Sequence, residues 1–311
     1  MTSLVARLRG NEPVLDASVQ AAFWTLLGAL FFSLMNASAK YLGLLDQQMI
    51  LKSLEGYEPI PVFQMTFARY AIAALLLLPF LLGRPKRFRT SSPGRYLGRT
   101  VAGFGGIALM FAAIQIVPLA SATAIGFTSP IFAMIFSAIL LGERVPRLRW
   151  FAASIGLSGA IIIASPGSGV PLAGASIALM AAAFMGAEVV GVKWLARTND
   201  GAVTILFYSN LTGVFISGAF MAPGFVWPTP SQSNALLLIG LMAILGQACI
   251  IRAARMSDAN FIAPFFYVSL FYAALIGYTI FDEKISLAVG IGCSIILMSA
   301  FIMIRIRTGP D

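Results

Sequence analysis

Long runs of residues with few or no charges recur along the whole chain, and this pattern constrains the fold more than any other feature. The run from Val19 to Ala39, for example, contains no charged side chain. A bilayer core about 30 Å thick is crossed by roughly 20 helical residues, so each run of about 18 or more is a candidate membrane span. With 59% hydrophobic and only 11% charged residues among 311, the chain carries more apolar surface than a water-soluble fold can bury. We therefore predict an all-α integral membrane protein.

The apolar runs and the breaks between them predict ten transmembrane helices. Breaks such as GRPKRFRTSSPGR, SPGSGVP and APGFVWPTPSQS contain the Pro, Gly and Ser residues that end helices. The sequence lacks the alternating segments of about ten residues that a membrane β-barrel requires. The predicted spans are 18–42, 62–83, 97–117, 119–141, 149–165, 171–195, 202–222, 233–253, 259–281 and 285–305.

The second half of the sequence repeats the first at an offset of 140 residues. The segment ILLGERVPRLRWFAASIGLSGAIII (139–163) aligns without a gap with TIFDEKISLAVGIGCSIILMSAFIM (279–303), which pairs Glu143 with Glu283. Five helices per repeat is an odd number, so the second copy enters the membrane from the opposite side. We therefore predict two inverted five-helix repeats, a construction that is common in secondary transporters.

The first repeat is longer than the second. Before the second span the offset rises to 153 residues and pairs Lys40 with Lys193, so the first half holds about 13 extra residues, mostly within LLDQQMILKSLEGYEP. We expect this insert to face outward. The predicted parts are a cytoplasmic tail (1–17), a first repeat (18–165) with the outward insert near 44–60, a second repeat (171–305) and a C-terminal tail (306–311).

The distribution of basic residues predicts the orientation. With both termini in the cytoplasm, 17 of the 21 Lys and Arg residues fall on the inner side, and only Lys40, Lys52, Arg69 and Lys284 fall in the outer half. The positive-inside rule favours this arrangement in the inner (cytoplasmic) membrane. The net charge of +9 is then a topology signal and not a nucleic-acid surface, because the basic residues are spread over short loops. The chain has no histidine and its two cysteines lie in separate spans, so neither a metal site nor a cofactor is indicated.

Several of these features together are similar to a known family. A ten-span chain whose fourth span ends in LLGERV and whose ninth ends in FDEKI resembles the EamA-type transporters of the drug/metabolite transporter (DMT) superfamily. FQMTFARYAIAALLLLP and RAARMSDANFIAPFFYVSLFYAALIG add local similarity, and the resemblance covers residues 18–305. It implies a cytoplasmic-membrane carrier of small metabolites such as amino acids, purines, riboflavin, S-adenosylmethionine or sugar nucleotides. The outward insert departs from the family's usual short connection.

The first span carries a polar stripe that could face a substrate path. Ser33, Asn36 and Lys40 fall on one helical face beside Phe32. Asn36 is the deepest amide of the stripe, and contact with a ligand and a hydrogen bond to a neighbouring helix are both open interpretations. Lys40 lies one turn nearer the outside, where we expect it to reach the lipid head groups.

The resemblance places the fourth and ninth spans beside the cavity. Their candidates for substrate contact are Phe127, Ser129, Tyr267, Ser269 and Tyr272. The aromatic rings could stack a flat substrate, and packing or lipid contact is the alternative for more than half of them. In the third span, the glycines at 103, 105 and 106 lack the strand and the Lys-Ser/Thr of a phosphate loop, so we expect them to serve close helix packing.

Glu188 stands out in the sixth span, because the other eleven acidic residues map to loops, tails or helix ends. A charge at the bilayer centre costs about 2.5 to 3.5 kcal/mol even on a lenient scale, so this carboxylate should face protein or water, carry a proton or be paired. Arg252 and Asn210 reach a similar depth, and Gln247 is a further candidate of the eighth span. A structural ion pair and a site for a substrate cation or a coupling proton are the two alternatives.

The sequence as a whole predicts a secondary transporter that moves a small metabolite, an amino acid or a similar polar or aromatic compound, by alternating access. Its partners would be that metabolite, the lipid bilayer and, as a candidate, a coupling proton. The alternative is a lipid-handling or non-transporting membrane protein of the same fold. An enzyme is disfavoured because no histidine, metal cluster or nucleophile–base pair lies at membrane depth. Substrate identity, transport direction, coupling ion and oligomeric state stay open.

Overall fold

The computed structural model describes residues 17–52, 57–83, 93–142, 145–165, 168–196, 202–256 and 265–305. Across these residues the secondary structure is helical and no strand occurs. Residues 1–16 of the predicted N-terminal tail, the predicted C-terminal tail and residues 259–264 of the predicted ninth span lie outside this part of the chain. The side chains of Glu143 and Lys193 lie outside it too.

Eleven α-helices and one short 3-10 turn (Ala222–Gly224) make up the described residues. The helices are α1 (Ala17–Leu51), α2 (Val62–Gly83), α3 (Pro93–Ile116), α4 (Leu119–Gly126), α5 (Ser129–Leu141), α6 (Arg147–Ile163), α7 (Leu172–Ala196), α8 (Ala202–Met221), α9 (Pro230–Ala254), α10 (Val268–Phe281) and α11 (Leu287–Arg305).

Ten apolar helical segments are found in the described part of the chain. Seven are long and apolar enough to cross a membrane by length and composition, and one of these, Leu119–Leu141, comprises α4 and α5 together. The other three are the shorter segments Trp150–Ile163, Val268–Phe281 and Leu287–Ser299. These segments match the ten predicted spans in order along the chain, and the predicted all-α membrane fold is confirmed.

The helix boundaries and the packing of the helices follow the repeat. Val62 and Ala202 begin α2 and α8, and Arg147 and Leu287 begin α6 and α11, both at the 140-residue offset. The first helix of each half packs on the third helix of the other half, which pairs α1 with α9 and α7 with α3. Likewise α2 packs on α8 and α6 on α11. Such crosswise pairing of equivalent helices is the packing of two inverted repeats about a pseudo-two-fold axis.

Both halves also end their fourth span in the same way. Gly142 follows α5 with φ 67°, and Asp282 follows α10 with φ 52°, so each residue is left-handed. Their backbone N–H groups donate to the carbonyls of Ser137 and Gly277, five residues earlier, which satisfies an otherwise unpaired group at the helix end. Glycine adopts this conformation freely, whereas Asp282 adopts it at a cost.

The fourth span is broken, although the sequence predicted one helix over 119–141. The helix is interrupted at Phe127 and Thr128, between α4 and α5. Pro130 in the first turn of α5 has no N–H to donate to the preceding turn, and the Thr128 hydroxyl bonds the carbonyl of Ile125 (2.7 Å). The proline therefore starts a new helix where the apolar pattern alone indicated a continuous one.

The first helix is longer than predicted, since α1 runs to Leu51 and not to residue 42. Gly43, directly after the predicted end, lies within the helix at a packing position: a Cβ there would lie 1.4 Å from Oε1 of Gln115. The following residues, LLDQQMIL, contain no Pro or Gly to stop the helix. At 1.5 Å per residue, α1 is about 52 Å long and extends past a hydrocarbon core of about 30 Å. We call the end of the bundle that carries residues 44–51 the insert end.

A buried hydrogen-bond network ties the insert to the second half. Asp46, expected in a loop, lies in α1 and is buried; it accepts bonds from the Tyr57 hydroxyl (2.5 Å) and the Ile60 N–H (2.8 Å). Gln232 donates to Asp46 and to Tyr57, both at 3.0 Å, and its backbone joins Thr229 in the capping box of α9. Burial and the Asp46 carboxylate raise the pKa of Tyr57 above its usual range, so the hydroxyl keeps its proton.

Glycines let α3 approach α7 closely. A Cβ at Gly103, Gly105 or Gly106 would come within 3.0 Å of a side chain of α7. In lipid, the burial of apolar surface contributes little to helix association, and small residues promote it by allowing the helix backbones to pack closely. The prediction that these glycines serve close packing is confirmed.

Candidate functional site

Lys40 forms a fully bonded ion pair at the insert end. Its Nζ lies 2.6 Å from Oε1 of Glu283 and donates to the carbonyls of Ile114 (3.0 Å) and Val117 (2.8 Å). The other carboxylate oxygen of Glu283 accepts the Leu119 N–H at 2.8 Å. The expectation that Lys40 reaches the head groups is wrong, because a carboxylate and two free helix-end carbonyls satisfy all three of its donors inside the protein.

A second polar cluster lies inside the bundle, between α2, α3, α7, α8 and α9. We call it the polar cavity; its volume is about 20 Å³, room for about one water molecule. Larger cavities of about 470 and 320 Å³ also exist, but their linings are mostly apolar and contain no charged residue. The polar cavity is lined by Arg69, Tyr70, Arg99, Thr100, Glu188, Leu206, Ser209, Asn210 and Gln247.

Glu188 is paired with Arg99. Oε1 of Glu188 lies 3.3 Å from Nη2 of Arg99, and Nη1 of the same guanidinium donates to the Ser209 hydroxyl at 2.5 Å. Of the two residues expected at its depth, Asn210 lines the same cavity, whereas the candidate cation Arg252 is exposed and its guanidinium lies 4.7 Å from the ring centroid of Trp24. The expectation for Arg252 is wrong because Arg99 lies on α3, the helix that packs most closely on α7, where Gly103 leaves room for the carboxylate.

Arg69 is the most buried charged group of the polar cavity. It is 6% exposed, and its guanidinium lies 5.0 Å from the ring centroid of Tyr70. Among the residues that the structure describes, no carboxylate lies within 4.0 Å of it. Its Nε has no hydrogen-bond partner there, and the same holds for Nε of Arg99, Oγ1 of Thr100 and Oε1 of Gln247. The cavity therefore combines a surplus cation with several buried polar atoms that are not bonded.

The repeat locates this cavity near the pseudo-two-fold axis. Arg69 corresponds to Ser209 at the 140-residue offset, and Tyr70 corresponds to Asn210. All four line the same cavity, and equivalent positions from two halves can meet only close to the axis that relates them. In transporters built from inverted repeats, the substrate site lies at this interface.

The ion pair of the polar cavity joins the two halves, and the symmetry-related pair of positions carries no charge. Glu188 corresponds to Met35 at the 153-residue offset, and Arg99 corresponds to Ile239. Met35 and Ile239 are both buried in the apolar core. The charges therefore occupy one of two symmetry-related contacts between the halves, and the other contact packs with apolar side chains instead.

Three predicted aromatic candidates gather around Phe266, where α4, α5 and α10 meet α1. Phe127 lies 4.8 Å from Tyr267 and 6.4 Å from Phe266, measured between ring centroids. Phe32 lies 6.1 Å from Phe266. We call these four rings the aromatic cluster.

The other candidates from the sequence occupy separate places. Ser269 accepts a bond from the Ser33 hydroxyl through its carbonyl (3.2 Å), and the Ser129 carbonyl packs against α7. Tyr272 is partly buried against the core, and Asn36 has a buried Oδ1 with no hydrogen-bond partner among the described residues. The structure thus brings Glu188 and Gln247 together in the polar cavity and groups the aromatic candidates elsewhere.

Comparison with known proteins identifies the family. The profile of the EamA-like transporter family matches residues 19–165 and 172–305, which is nearly the whole chain in two copies. The chain belongs to the EamA-like transporter family. A solved crystal structure with 19% sequence identity shares the fold, with a TM-score of 0.60 over 93% of this chain and 97% of that one.

Curated relatives of this EamA-like chain are transporters. It is 30% identical to the riboflavin transporter of Rhizobium johnstonii over 93% of this chain and 92% of the relative. It is 28% identical to the pseudopaline exporter CntI of Pseudomonas aeruginosa (95% and 100%) and 26% identical to the S-adenosylmethionine uptake transporter of Rickettsia bellii (84% of each). The chain is accordingly a small-molecule transporter of the DMT superfamily and a multi-pass inner-membrane protein, and the prediction that it is not an enzyme is confirmed.

Two charged residues of the EamA-like polar cavity were missed from the sequence. Arg69 had been assigned to the outer half and Arg99 to the inner side, both as topology signals. Arg69 could have been recognised, because it lies well inside a predicted span, where a charged residue is usually functional. The other repeat has Ser209 at the equivalent position. Arg99 carried no such signal, because it lies near the start of its span and only its long side chain reaches the cavity.

Proposed function

We propose that this EamA-like chain is a secondary transporter that carries a small polar or aromatic metabolite, such as an amino acid, by alternating access. The observation that carries the proposal is the polar cavity close to the axis between the two inverted halves. The relatives named for riboflavin, pseudopaline and S-adenosylmethionine support a small-metabolite substrate, and they include both uptake and export proteins. We therefore leave the direction of transport to experiment.

The contacts on either side of the cavity support a gated path. At the insert end, the Lys40–Glu283 pair joins α1 to the end of α10 and to the turn between α3 and α4. Toward the opposite end, the rings of Tyr96 and Tyr208 pack one turn from the cavity, with centroids 5.6 Å apart. We propose that the Lys40–Glu283 pair breaks when the insert end opens and re-forms when it closes, because its members belong to different halves.

We propose that both termini are cytoplasmic and that the insert end faces outward. Once the buried Lys40, Arg69 and Arg99 are set aside, sixteen of the remaining basic residues fall on the inner side and two on the outer side. Accessibility probes at 87, 147 and 197 should report the cytoplasm, and probes at 55 and 227 should report the outside. A mixed result would contradict the orientation.

Flux through purified protein in liposomes tests the function. Amino acids, riboflavin and S-adenosylmethionine would first be screened for a rise in melting temperature, since a ligand that binds only the folded state stabilises it. Compounds that raise it should then cross the membrane in protein-containing liposomes and not in empty ones. Movement of a fluorescent lipid between leaflets, with no solute flux for any compound, would favour the lipid-handling alternative.

A further inference from the structure

We propose that Arg69 and Arg99 form a subsite for an anionic group of the substrate, a carboxylate or a phosphate, with a hydrogen-bond donor next to it. The inference rests on the proposed transport function and narrows the substrate class. It places the anionic group in the polar cavity, between the two guanidinium groups.

The charge balance of the cavity points to an anion. Its lining contains two guanidinium groups and one carboxylate, Glu188. Glu188 contacts Arg99, and Arg69 has no carboxylate partner among the described residues, although it is almost wholly buried. A buried cation without a counter-charge is unfavourable, and arginine stays protonated, so an anionic ligand would supply the charge that the described lining lacks.

The unsatisfied hydrogen-bonding atoms of the cavity indicate that the ligand carries a donor group next to its anionic group. Nε of Arg69 and Nε of Arg99 are donors without acceptors, and a guanidinium fork suits the two oxygens of a carboxylate or phosphate. Oε1 of Gln247 is an acceptor without a donor in the same cavity. A ligand that presents an anion and a neighbouring ammonium or hydroxyl group, as an amino acid or a hydroxy acid does, satisfies both sides.

The geometry of Glu188 shows how an anion would enter. Its carboxylate meets Arg99 at 3.3 Å through one oxygen and is 29% exposed, so the contact is long and incomplete. An incoming carboxylate would replace Glu188 as the partner of Arg99 and also bond Arg69. Because the closed cavity holds about one water molecule, the rest of the ligand occupies space that opens with the gate.

The test uses lactate and its neutral amide, lactamide, which share a shape and differ in charge. Purified protein is melted in rising concentrations of each at constant ionic strength in sodium chloride, with inorganic phosphate as a separate arm. We expect lactate to raise the melting temperature in a saturable way and lactamide to have no effect. A response to phosphate alone would assign the subsite to phosphate-bearing substrates, and equal responses to lactate and lactamide would overturn the proposal.

Variants separate a binding role from a structural one. Arg69→Gln should abolish the lactate response, whereas the matched control Arg252→Gln, outside the cavity, should keep it. Glu188→Gln should tighten lactate binding by about tenfold, because it removes the competing carboxylate, while a purely structural Glu188 would leave binding unchanged or weaker. If Arg69→Gln does not fold, the test uses Arg69→Lys and Glu188→Gln. Unchanged lactate affinity in both variants would contradict the subsite.

The result is distinguishable from failure of the proposed function. If some compound is transported without any preference for anions and without dependence on Arg69, the proposed transport function is supported and the anion subsite is contradicted. Saturable lactate binding that needs Arg69, without flux of any compound including lactate, would keep the subsite and remove transport.

Discussion

The Lys40–Glu283 and Arg99–Glu188 ion pairs are built in opposite ways. The first has a contact of 2.6 Å between side chains that are 9% and 12% exposed, and helix-end backbone groups bond both partners further. The second has a contact of 3.3 Å and side chains that are 13% and 29% exposed, and it shares its cavity with Arg69, which has no carboxylate within 4.0 Å among the described residues. A buried network with every group bonded fixes one arrangement, whereas a partly bonded one can change partners. This difference fits the roles we propose, closure of the bundle for the first pair and exchange with a ligand for the second.

The largest expected effect comes from breaking the fully bonded pair. Lys40→Met leaves the Glu283 carboxylate buried without its counter-charge, which should lower the free energy of unfolding by about 3–5 kcal/mol. Thermal or denaturant unfolding in detergent measures it. The double variant Lys40→Met with Glu283→Gln should recover most of the loss, and a double variant as unstable as the single one would contradict the assignment.

A matched pair of glycines tests how rigidly each carboxylate is held. A Cβ at Gly277 would lie 2.5 Å from Oε2 of Glu283, and a Cβ at Gly103 would lie 2.9 Å from Cδ of Glu188. Gly277→Ala should cost about 1–3 kcal/mol, because that carboxylate cannot move, and Gly103→Ala should cost less than about 1 kcal/mol. Gly290→Ala, where nothing lies within 4 Å, is the control and should gain about 0.5–1 kcal/mol. Equal costs at the two sites would remove the distinction.

Removing the second carboxylate should affect transport more than stability. Glu188→Gln loses a long, partly exposed contact, so we expect the free energy of unfolding to fall by less than in Lys40→Met. If Glu188 also carries a coupling proton, flux should lose its dependence on pH. Melting temperature and flux over a pH series, measured in one preparation, check both. Normal flux at every pH would exclude Glu188 from the transport mechanism.

The smallest effect should come from the helix end beside Glu283. Asp282→Gly removes the side chain from a left-handed residue at φ 52° and should raise the free energy of unfolding by about 0.5–1 kcal/mol. The reverse change in the other repeat, Gly142→Asp at φ 67°, should lower it by a similar amount. Calorimetry of both variants checks the sign, and a loss in Asp282→Gly would mean that its side chain has a bonding role.

The fold was largely predictable because its main determinant is periodic. Apolar runs set the spans, and the repeat set their arrangement, including the equivalence of the helix ends at Gly142 and Asp282. The end of α1 was misplaced because Gly43 has the residue type of a helix stop and the function of a packing contact with Gln115. A glycine's role depends on what lies across from it, and the sequence does not contain that information locally.

The candidate site was only partly predictable. Glu188 was recognisable because a carboxylate in an apolar run is conspicuous whatever its partner. Its partner was not, because helix order does not say which of several arginines a flexible side chain brings within bonding distance. Lys40 was misjudged for the same reason, since its partner Glu283 is 243 residues away in the sequence.

The insert has an energetic consequence that follows from symmetry. Two identical inverted halves would give a carrier whose outward-facing and inward-facing states have equal energies. The bonds among Asp46, Tyr57 and Gln232 involve the insert, which the second repeat lacks, so they should favour the state that keeps the insert end closed. Each difference of about 1.4 kcal/mol between two states changes their ratio tenfold. Without substrate, most molecules should therefore have the binding site open to the compartment opposite the insert. The length of one connection would thus set the resting ratio of the outward-facing and inward-facing states.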